Sequence, residues 1–99
     1  MSEASDSAPA NVVYVLGSGD ARRYVTYVGW TNDLVRRLAQ HNAGKGARST
    51  RGRSWIVLHV ETFATREQAM SREWHLKRDR AFRRQLVERH RSTAAASGG

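Results

Sequence analysis

Short hydrophobic segments separated by polar ones run along the chain and predict six regular elements in the order β-β-α-β-α-α. Segments rich in β-branched and aromatic residues, which favour strands, lie at Val12–Leu16, Arg22–Trp30 and Trp55–Val60. Gly17–Asp20 has the composition of a turn, so the first two strands are expected to form a hairpin. Three strands cannot bury a core alone. We therefore predict an α+β fold, a three-stranded antiparallel β-sheet flanked by helices.

The first predicted helix places two polar side chains beside its apolar stripe. Thr31-Asn32-Asp33 supplies an N-cap, the helix runs to about Asn42, and Gly44 ends it. Its buried stripe is predicted to consist of Leu34, Val35 and Leu38. At 100° per residue, Arg37 and His41 fall together along one edge of that stripe.

The second predicted helix carries a carboxylate within its apolar side. Thr65 and Gln68 fit a capping box, and the helix reaches about Lys77. Its apolar side is predicted to consist of Ala69, Met70, Trp74 and Leu76. Glu73 lies inside that stripe, where a carboxylate is costly unless it is paired or bound to a cation.

A third predicted helix, capped by Asp79, reaches about His90. Its inward residues are predicted to be Ala81, Phe82, Leu86 and Val87. Residues 1–10 and 92–99 are poor in large apolar side chains, so we predict two disordered tails around one domain, residues 11–91.

Composition excludes several classes of protein. The chain has no cysteine, which rules out disulfide scaffolds and thiolate metal sites. Its apolar runs are too short to span a membrane, and its acidic N-terminus does not resemble a secretory signal. We therefore expect a cytoplasmic protein.

A formal charge of +8 on 99 residues indicates a polyanionic partner. Neutralising phosphates releases condensed counterions, and arginine, the commoner cation here, has a planar fork that suits phosphate. A solvated, solubilising surface is the alternative interpretation. The residues predicted to bind nucleic acid are Lys45, Arg48, Arg51, Arg53, Lys77, Arg80, Arg83 and Arg84.

Five residues have the chemistry of a phosphodiesterase, and each also has a structural interpretation. Glu73 is suited to hold one Mg²⁺ or Mn²⁺ ion. Its structural alternatives are a salt bridge to Arg37 or Lys77, or an edge position that reaches water. Arg37 is suited to clamp a phosphate, or to cover apolar surface with its stem. Tyr14 and Tyr27, on neighbouring strands, are core aromatics or supply a hydroxyl as general base. His41 binds phosphate or relays a proton, or it is a surface or helix-capping residue.

These residues together resemble the GIY-YIG nuclease superfamily, and within it the small stand-alone bacterial members of the YhbQ type. The likeness lies in Val12-Val13-Tyr14, Tyr27-Val28-Gly29, the helix containing Arg37 and His41, and the segment around Glu73. Val-Val stands where the first signature has Gly-Ile. The resemblance implies metal-dependent cleavage of DNA, with a tyrosine as base, Arg37 stabilising charge, and one Mg²⁺ held by Glu73.

The main hypothesis is a metal-dependent DNA endonuclease whose catalytic residues are Tyr14, Tyr27, Arg37, His41 and Glu73. One alternative is a nucleic-acid-binding module of the same fold with little or no catalysis. Another is a partner-binding domain that uses Trp55 and Trp74 as anchors. The sequence leaves open which tyrosine or histidine is the base, whether the DNA is branched, nicked or single-stranded, and whether a protein partner contributes specificity.

Overall fold

The computed structural model describes residues 11–19 and 23–98, the last five as backbone only. Its elements follow the predicted order, and the α+β fold is confirmed. They are β1 (Asn11–Gly19), β2 (Tyr24–Thr31), α1 (Leu34–Asn42), a 3₁₀ turn (Arg48–Thr50), β3 (Ile56–Phe63), α2 (Arg66–Arg78) and α3 (Arg80–Gly98). The predicted N-terminal tail and the start of the predicted second strand lie outside the described residues. No described helix is long and apolar enough to cross a membrane.

The three strands form one antiparallel sheet in the order β2-β1-β3, with β1 at its centre. The prediction of a turn at Gly17–Asp20 is wrong for its first three residues, because β1 continues to Gly19 and pairs with β2 as far as Tyr24. A Cβ at Gly17 would lie 2.7 Å from atoms of Leu58 and Tyr24. Glycine is therefore required there by side chains packed over the strand, not by a turn.

Alternate residues of β1 enter two different cores, as the two-residue period of a strand requires. Val13 and Val15 pack on the face that α2 and α3 cover. Tyr14 and Leu16 pack on the opposite face with Trp55, against Leu34 and Leu38 of α1 and Val25 and Tyr27 of β2. The sequence prediction that Tyr27 faces away from Val28 and Trp30 agrees with these clusters.

Four apolar residues predicted to be inward are exposed, and one of them is Ala81 on α3. Val35 on α1 is 82% exposed, and Met70 and Trp74 on α2 are 44% and 54% exposed. A three-stranded sheet offers only a narrow surface, so α2 buries the single line of Ala69 and Leu76 and leaves neighbouring positions in solvent.

The helix starts follow the predicted caps. Asp33 accepts from the Arg36 amide, Thr65 and Gln68 form the capping box, and Asp79 Oδ1 accepts from the Phe82 amide. The prediction that the last helix ends near His90 is wrong, because α3 continues to Gly98 through the segment assigned to a tail. Alanine, which has the highest helix propensity, occupies three consecutive positions there.

Candidate active site

The strands β1 and β2 bring Tyr14 and Tyr27 together on the face that α1 covers. Their ring centroids are 6.4 Å apart. Gly29 lies directly opposite Tyr14 in the sheet, and a Cβ at Gly29 would lie 2.5 Å from the Tyr14 hydroxyl. The phenol therefore lies across a position that only glycine leaves open.

His41, at the end of α1, links Tyr14 to the loop that follows the helix. Its Nε2 lies 3.1 Å from the Tyr14 hydroxyl and its Nδ1 lies 2.8 Å from Thr50 Oγ1. Thr50 donates its own hydroxyl proton to the Ala47 carbonyl, at 2.8 Å. All three side chains in this chain of hydrogen bonds are buried.

The hydrogen-bond chain determines where the protons lie. Because the Thr50 hydroxyl donates to Ala47, its oxygen must accept from His41 Nδ1–H. His41 Nε2 is then the acceptor, and the Tyr14 hydroxyl donates to it. Burial and the neighbouring Arg37 charge lower the pKa of His41, and burial raises the pKa of Tyr14 to about 12. Both groups are therefore neutral near pH 7.

The loop between α1 and β3 is built around this histidine. A Cβ at Gly46 would lie 2.3 Å from His41 Nδ1, so glycine lets the loop backbone approach the ring. Trp55 holds the other side of the loop, since its indole Nε1 donates to the Thr50 carbonyl at 2.8 Å. Its amide donates to Asn42 Oδ1 at 2.6 Å, which ties the loop to the end of α1.

Arg37 lies beside the two neutral groups and retains an unused donor. Its charge opposes the rise in the pKa of Tyr14 and contributes to the lowered pKa of His41. Its Nη1 donates to Gln40 Oε1 at 3.1 Å. Its Nε is buried and has no hydrogen-bond partner in the described part of the chain. A buried N–H without an acceptor suits an oxyanion that is delivered by a substrate.

Glu73 of α2 comes from the other side of the sheet and still acts on the same phenol, because its negative charge contributes to the raised pKa of Tyr14. Its side chain is 21% exposed, and its Oε2 lies 3.4 Å from Lys77 Nζ. The salt bridge to Lys77, one of the two structural alternatives for this residue, is therefore present.

The three candidate bases differ in their access to solvent. Tyr14 is 1% exposed and His41 is fully buried. Tyr27 is partly exposed, and its ring lies 4.9 Å from His41 and 6.4 Å from Trp55 between centroids. Of these three groups, Tyr27 is the one that a water molecule at the surface can reach.

The residues predicted to bind nucleic acid lie in different surroundings. Three are exposed in the loop after α1, namely Lys45, Arg48 and Arg51, and Arg53 is half-buried. Lys77 pairs with Glu73, and Arg80 and Arg84 are exposed on α3. Arg83 is held by the protein itself, since it donates to Thr26 Oγ1 at 3.2 Å and to the Leu76 carbonyl.

Sequence reasoning missed Thr50 and Gly46, the two loop residues that position His41. Neither residue belongs to a recognisable sequence pattern, because its contact with His41 forms only when the loop has folded. It also missed the ion pair in which Arg72 donates to both oxygens of Glu61, at 2.9 and 3.0 Å. His59, which had no predicted role, contacts the same carboxylate at 2.7 Å. This group joins β3 to α2 and is structural.

The carboxylates of the described residues fit only a metal ion that takes few ligands from the protein. Within the described residues there is no group of three or more histidine, cysteine, aspartate or glutamate side chains that could hold one. Glu73 alone offers a half-buried carboxylate near the phenols. Mg²⁺ often takes one or two carboxylates and completes its shell with water and substrate phosphate, so the single donor fits such an ion.

Two neighbouring phenols, one of which is influenced by the charges of a guanidinium and a carboxylate, are groups of the kind that a nuclease uses. The comparisons agree with that class. A family model of the GIY-YIG catalytic domain matches residues 10–85. The chain belongs to the GIY-YIG family. This is a nuclease domain, which indicates phosphodiester hydrolysis with DNA as the class of substrate. Its members generally use a divalent metal ion.

Within the family, the chain is similar to small UPF0213 proteins of archaea and bacteria. It is 46% identical over 66 residues to one from Halobacterium salinarum, covering 66% of this chain and 82% of the relative. It is 42% identical over 82 residues to one from Natronomonas pharaonis, covering 81% and 93%. A Bacillus velezensis relative is 43% identical over 72 residues, covering 71% and 73%. No solved structure matches the chain.

Proposed function

We propose that this protein is a divalent-metal-dependent DNA endonuclease that acts on intermediates of DNA repair or recombination. The observation that carries the proposal is the convergence of groups on the Tyr14 hydroxyl. His41 is hydrogen-bonded to it, and the charges of Arg37 and Glu73 both act on it. These groups come from three different elements, β1, α1 and α2, and titratable groups that converge on one phenol are typical of a functional site.

Solvent access supports Tyr27 as the general base. Water attacks phosphorus, Tyr27 as general base accepts the proton of that water, and the P–O bond opposite the attacking oxygen breaks. Tyr14 and His41 are too buried to meet the water. Their role would be to position the groups around Tyr27, through the hydrogen bonds that run to Thr50.

Arg37 is the residue that we assign to the scissile phosphate. Its buried, unpartnered Nε has a donor available for a non-bridging oxygen. A fixed guanidinium aimed at the charge that grows in the transition state stabilises that state more than the ground state. Lysine, a point charge on a flexible stem, replaces such a fork poorly.

Glu73 would hold one Mg²⁺ or Mn²⁺ ion. When bound, the ion supplies Lewis-acid stabilisation of the charge on the phosphate and on the leaving oxygen. The ion would compete with Lys77, which now lies 3.4 Å from the carboxylate. Once released, Lys77 would be a cation beside the substrate backbone.

The loop after α1 supports DNA binding next to the pocket. Arg48 and Arg51 are exposed on either side of Thr50, which contacts His41. Lys45 and Arg53 belong to the same loop. Phosphates on either side of the scissile bond would meet these cations.

The experiment is a cleavage assay on linear and branched DNA with Mg²⁺, with Mn²⁺ and with chelator. We expect cleavage only with metal. Glu73→Gln is expected to reduce it to the chelator level, and Arg37→Ala by about 100- to 1000-fold, the usual loss when a donor to a developing oxyanion is removed. DNA binding is expected to persist in both variants.

Glu67→Gln is the matched control, because it removes one carboxylate from an exposed position of the same helix. It should cut normally. A wild-type protein that binds DNA and never cuts it would favour the non-catalytic binding module. Normal cutting by Glu73→Gln would remove the proposed metal ligand.

A further inference from the structure

An exposed tryptophan lies next to the proposed metal ligand on α2. Trp74 follows Glu73 directly in the chain and is 54% exposed, although tryptophan is highly buried on average. Met70, one helical turn before it, is 44% exposed. The buried residues of α2 are Ala69 and Leu76, so neither exposed side chain belongs to the core. Packing of the core therefore does not account for a large aromatic ring at position 74.

Contacts within α2 hold this indole in place. The Arg78 guanidinium lies 3.6 Å from the centre of the Trp74 ring, well within the range of a cation–π contact. Arg78 Nη1 also donates to the Trp74 carbonyl at 3.0 Å, so two contacts fix the guanidinium. The His75 ring meets the indole at 73°, with the ring centroids 5.1 Å apart. A ligand would therefore meet an aromatic surface that is already ordered, which lowers the entropic cost of binding.

The side of α2 that carries Trp74 also carries Glu73. With 3.6 residues per turn, Glu73 lies about 40° around the helix from the buried Ala69, and Trp74 lies about 140° from it in the same direction. Lys77 lies between them, and its Nζ is 3.4 Å from Glu73 Oε2. A carboxylate, a cation and an aromatic ring therefore follow one another outward from the core on one side of α2.

An aromatic ring beside cations has the chemistry that binds a single strand of nucleic acid. Lys77 and Arg78 are exposed residues of the turn that follows Trp74, and their charges suit phosphates. Every nucleobase has a π-face that can stack on an indole. A base inside a duplex is stacked on both sides by its neighbours, so the base that can reach Trp74 is an unpaired one. The net charge of +8 favours a polyanion over a protein as the ligand of this surface.

We propose that Trp74 stacks an unpaired nucleobase next to the scissile phosphate, so that the preferred substrate has an unpaired nucleotide at that point. The identity of the strand as DNA, and the place of its phosphate at Glu73, rest on the proposed function. Consecutive Cα atoms are about 3.8 Å apart, so a strand whose phosphate is held at Glu73 brings a flanking base near Trp74. Trp74 then selects the substrate and takes no part in the reaction at phosphorus.

The test measures DNA binding by fluorescence anisotropy in chelator, so that no strand is cut. The probes are a single-stranded thymidine oligonucleotide and a hairpin duplex with the same number of phosphates. We expect Trp74→Leu to weaken binding of the single strand by about 5- to 100-fold, the usual loss when one base–aromatic stack is removed. Binding of the duplex should not change. Circular dichroism checks that the variant folds.

Trp74→Phe is the matched control, because phenylalanine keeps an aromatic face at the same position. It should retain most of the affinity for the single strand. A stacked base also quenches indole fluorescence, so the fluorescence of the wild type should fall when the single strand binds. Trp30 and Trp55 remain in Trp74→Phe. The variant should therefore bind the single strand with a smaller fall, and the difference belongs to Trp74.

Three results would overturn the inference. Unchanged single-strand binding by Trp74→Leu would mean that no base stacks on the indole, and would favour a protein partner as its ligand. Equal weakening of single strand and duplex would mean that the site does not select unpaired bases. An equal fall in fluorescence in the wild type and in Trp74→Phe would place the bound base elsewhere. Each result can be read even if the protein never cuts DNA, and each leaves metal-dependent cleavage by the wild type untouched.

Discussion

Gly29 determines where the Tyr14 ring can lie. It is the cross-strand partner of Tyr14, and a Cβ at this position would be 2.5 Å from the phenol oxygen and 2.7 Å from Cζ. The ring cannot shift freely, because its hydroxyl is bonded to the buried His41. Gly29 is therefore required to leave room for the Tyr14 ring, and not to allow an unusual backbone conformation.

Gly29→Ala is expected to damage the site through Tyr14. Inserting a methyl into a packed position costs about 1–3 kcal/mol of stability, and the displaced phenol would break its bond to His41. We expect DNA cleavage to fall by about 100-fold, as a small misplacement of reacting groups can cause. Cleavage rates and denaturant titrations check this. Gly44→Asn is the control, since its Cβ would meet nothing and asparagine tolerates the φ of 77°. Wild-type cleavage by Gly29→Ala would contradict the steric argument.

Helix α1 and the loop after it form one unit that is joined through His41, Asn42 and Trp55. Asn42 exchanges two hydrogen bonds with the backbone of Trp55, at 2.6 and 3.2 Å. The indole of Trp55 and the ring of His41 both bond to Thr50. A proton added to His41 would place a donor on Nε2, so the buried Tyr14 hydroxyl could no longer donate to it and would lose that acceptor for its own proton.

The pH dependence of stability should report this coupling. The folded-state pKa of His41 lies below the ordinary 6.5, so near and below pH 6.5 the unfolded chain binds more protons than the folded one. Stability is then complete above that pH and falls as the pH drops through 6.5 and below. Arg37, Tyr14 and Tyr27 are the charged and titratable groups that face the ring.

Denaturant midpoints between pH 7.5 and 5 check this, with His41→Gln as comparison. His59, His75 and His90 remain in both proteins, so the difference in slope isolates His41. We expect a steeper loss on acidification in the wild type. Identical slopes would show that His41 does not resist protonation.

Sequence alone predicts the elements of this fold better than the surroundings of their side chains. Caps at Asp33, Thr65 and Asp79 depend on bonds to residues three positions away, so local sequence suffices. The exposure of Trp74 depends on how wide the sheet is, which no local pattern contains.

The candidate site shows the same limit. The residue types at positions 14, 27, 37, 41 and 73 resemble the family, but sequence left open which of the candidate bases reaches solvent. Tyr14 and His41 are excluded from solvent because β1, α1 and the loop pack around them, and a local sequence pattern does not contain that packing. Thr50 could not have been predicted, because its role depends on the path of the whole loop.

At the scale of the whole molecule, the net charge works against the compact state. Lys and Arg number 17 and Asp and Glu number 9 in a chain whose folded body measures 44 × 31 × 26 Å. Among the ion pairs of the described residues, the one between Arg72 and Glu61 is well formed and the one between Lys77 and Glu73 is longer. Such a surface attracts DNA, and it also repels itself when DNA is absent.

Added salt should therefore stabilise this protein. Raising NaCl from about 10 to about 150 mM shortens the Debye length from about 30 to about 8 Å, which screens repulsion across the molecule more than a pair in contact. A gain of about 0.5–1 kcal/mol would raise Tm by roughly 2–8 °C for a domain of this size. Thermal unfolding by circular dichroism checks this, and Arg80→Gln/Arg84→Gln should show a smaller rise, because two exposed positive charges of α3 are then gone. A Tm that falls with salt would mean that ion pairs such as Arg72–Glu61 outweigh the repulsion.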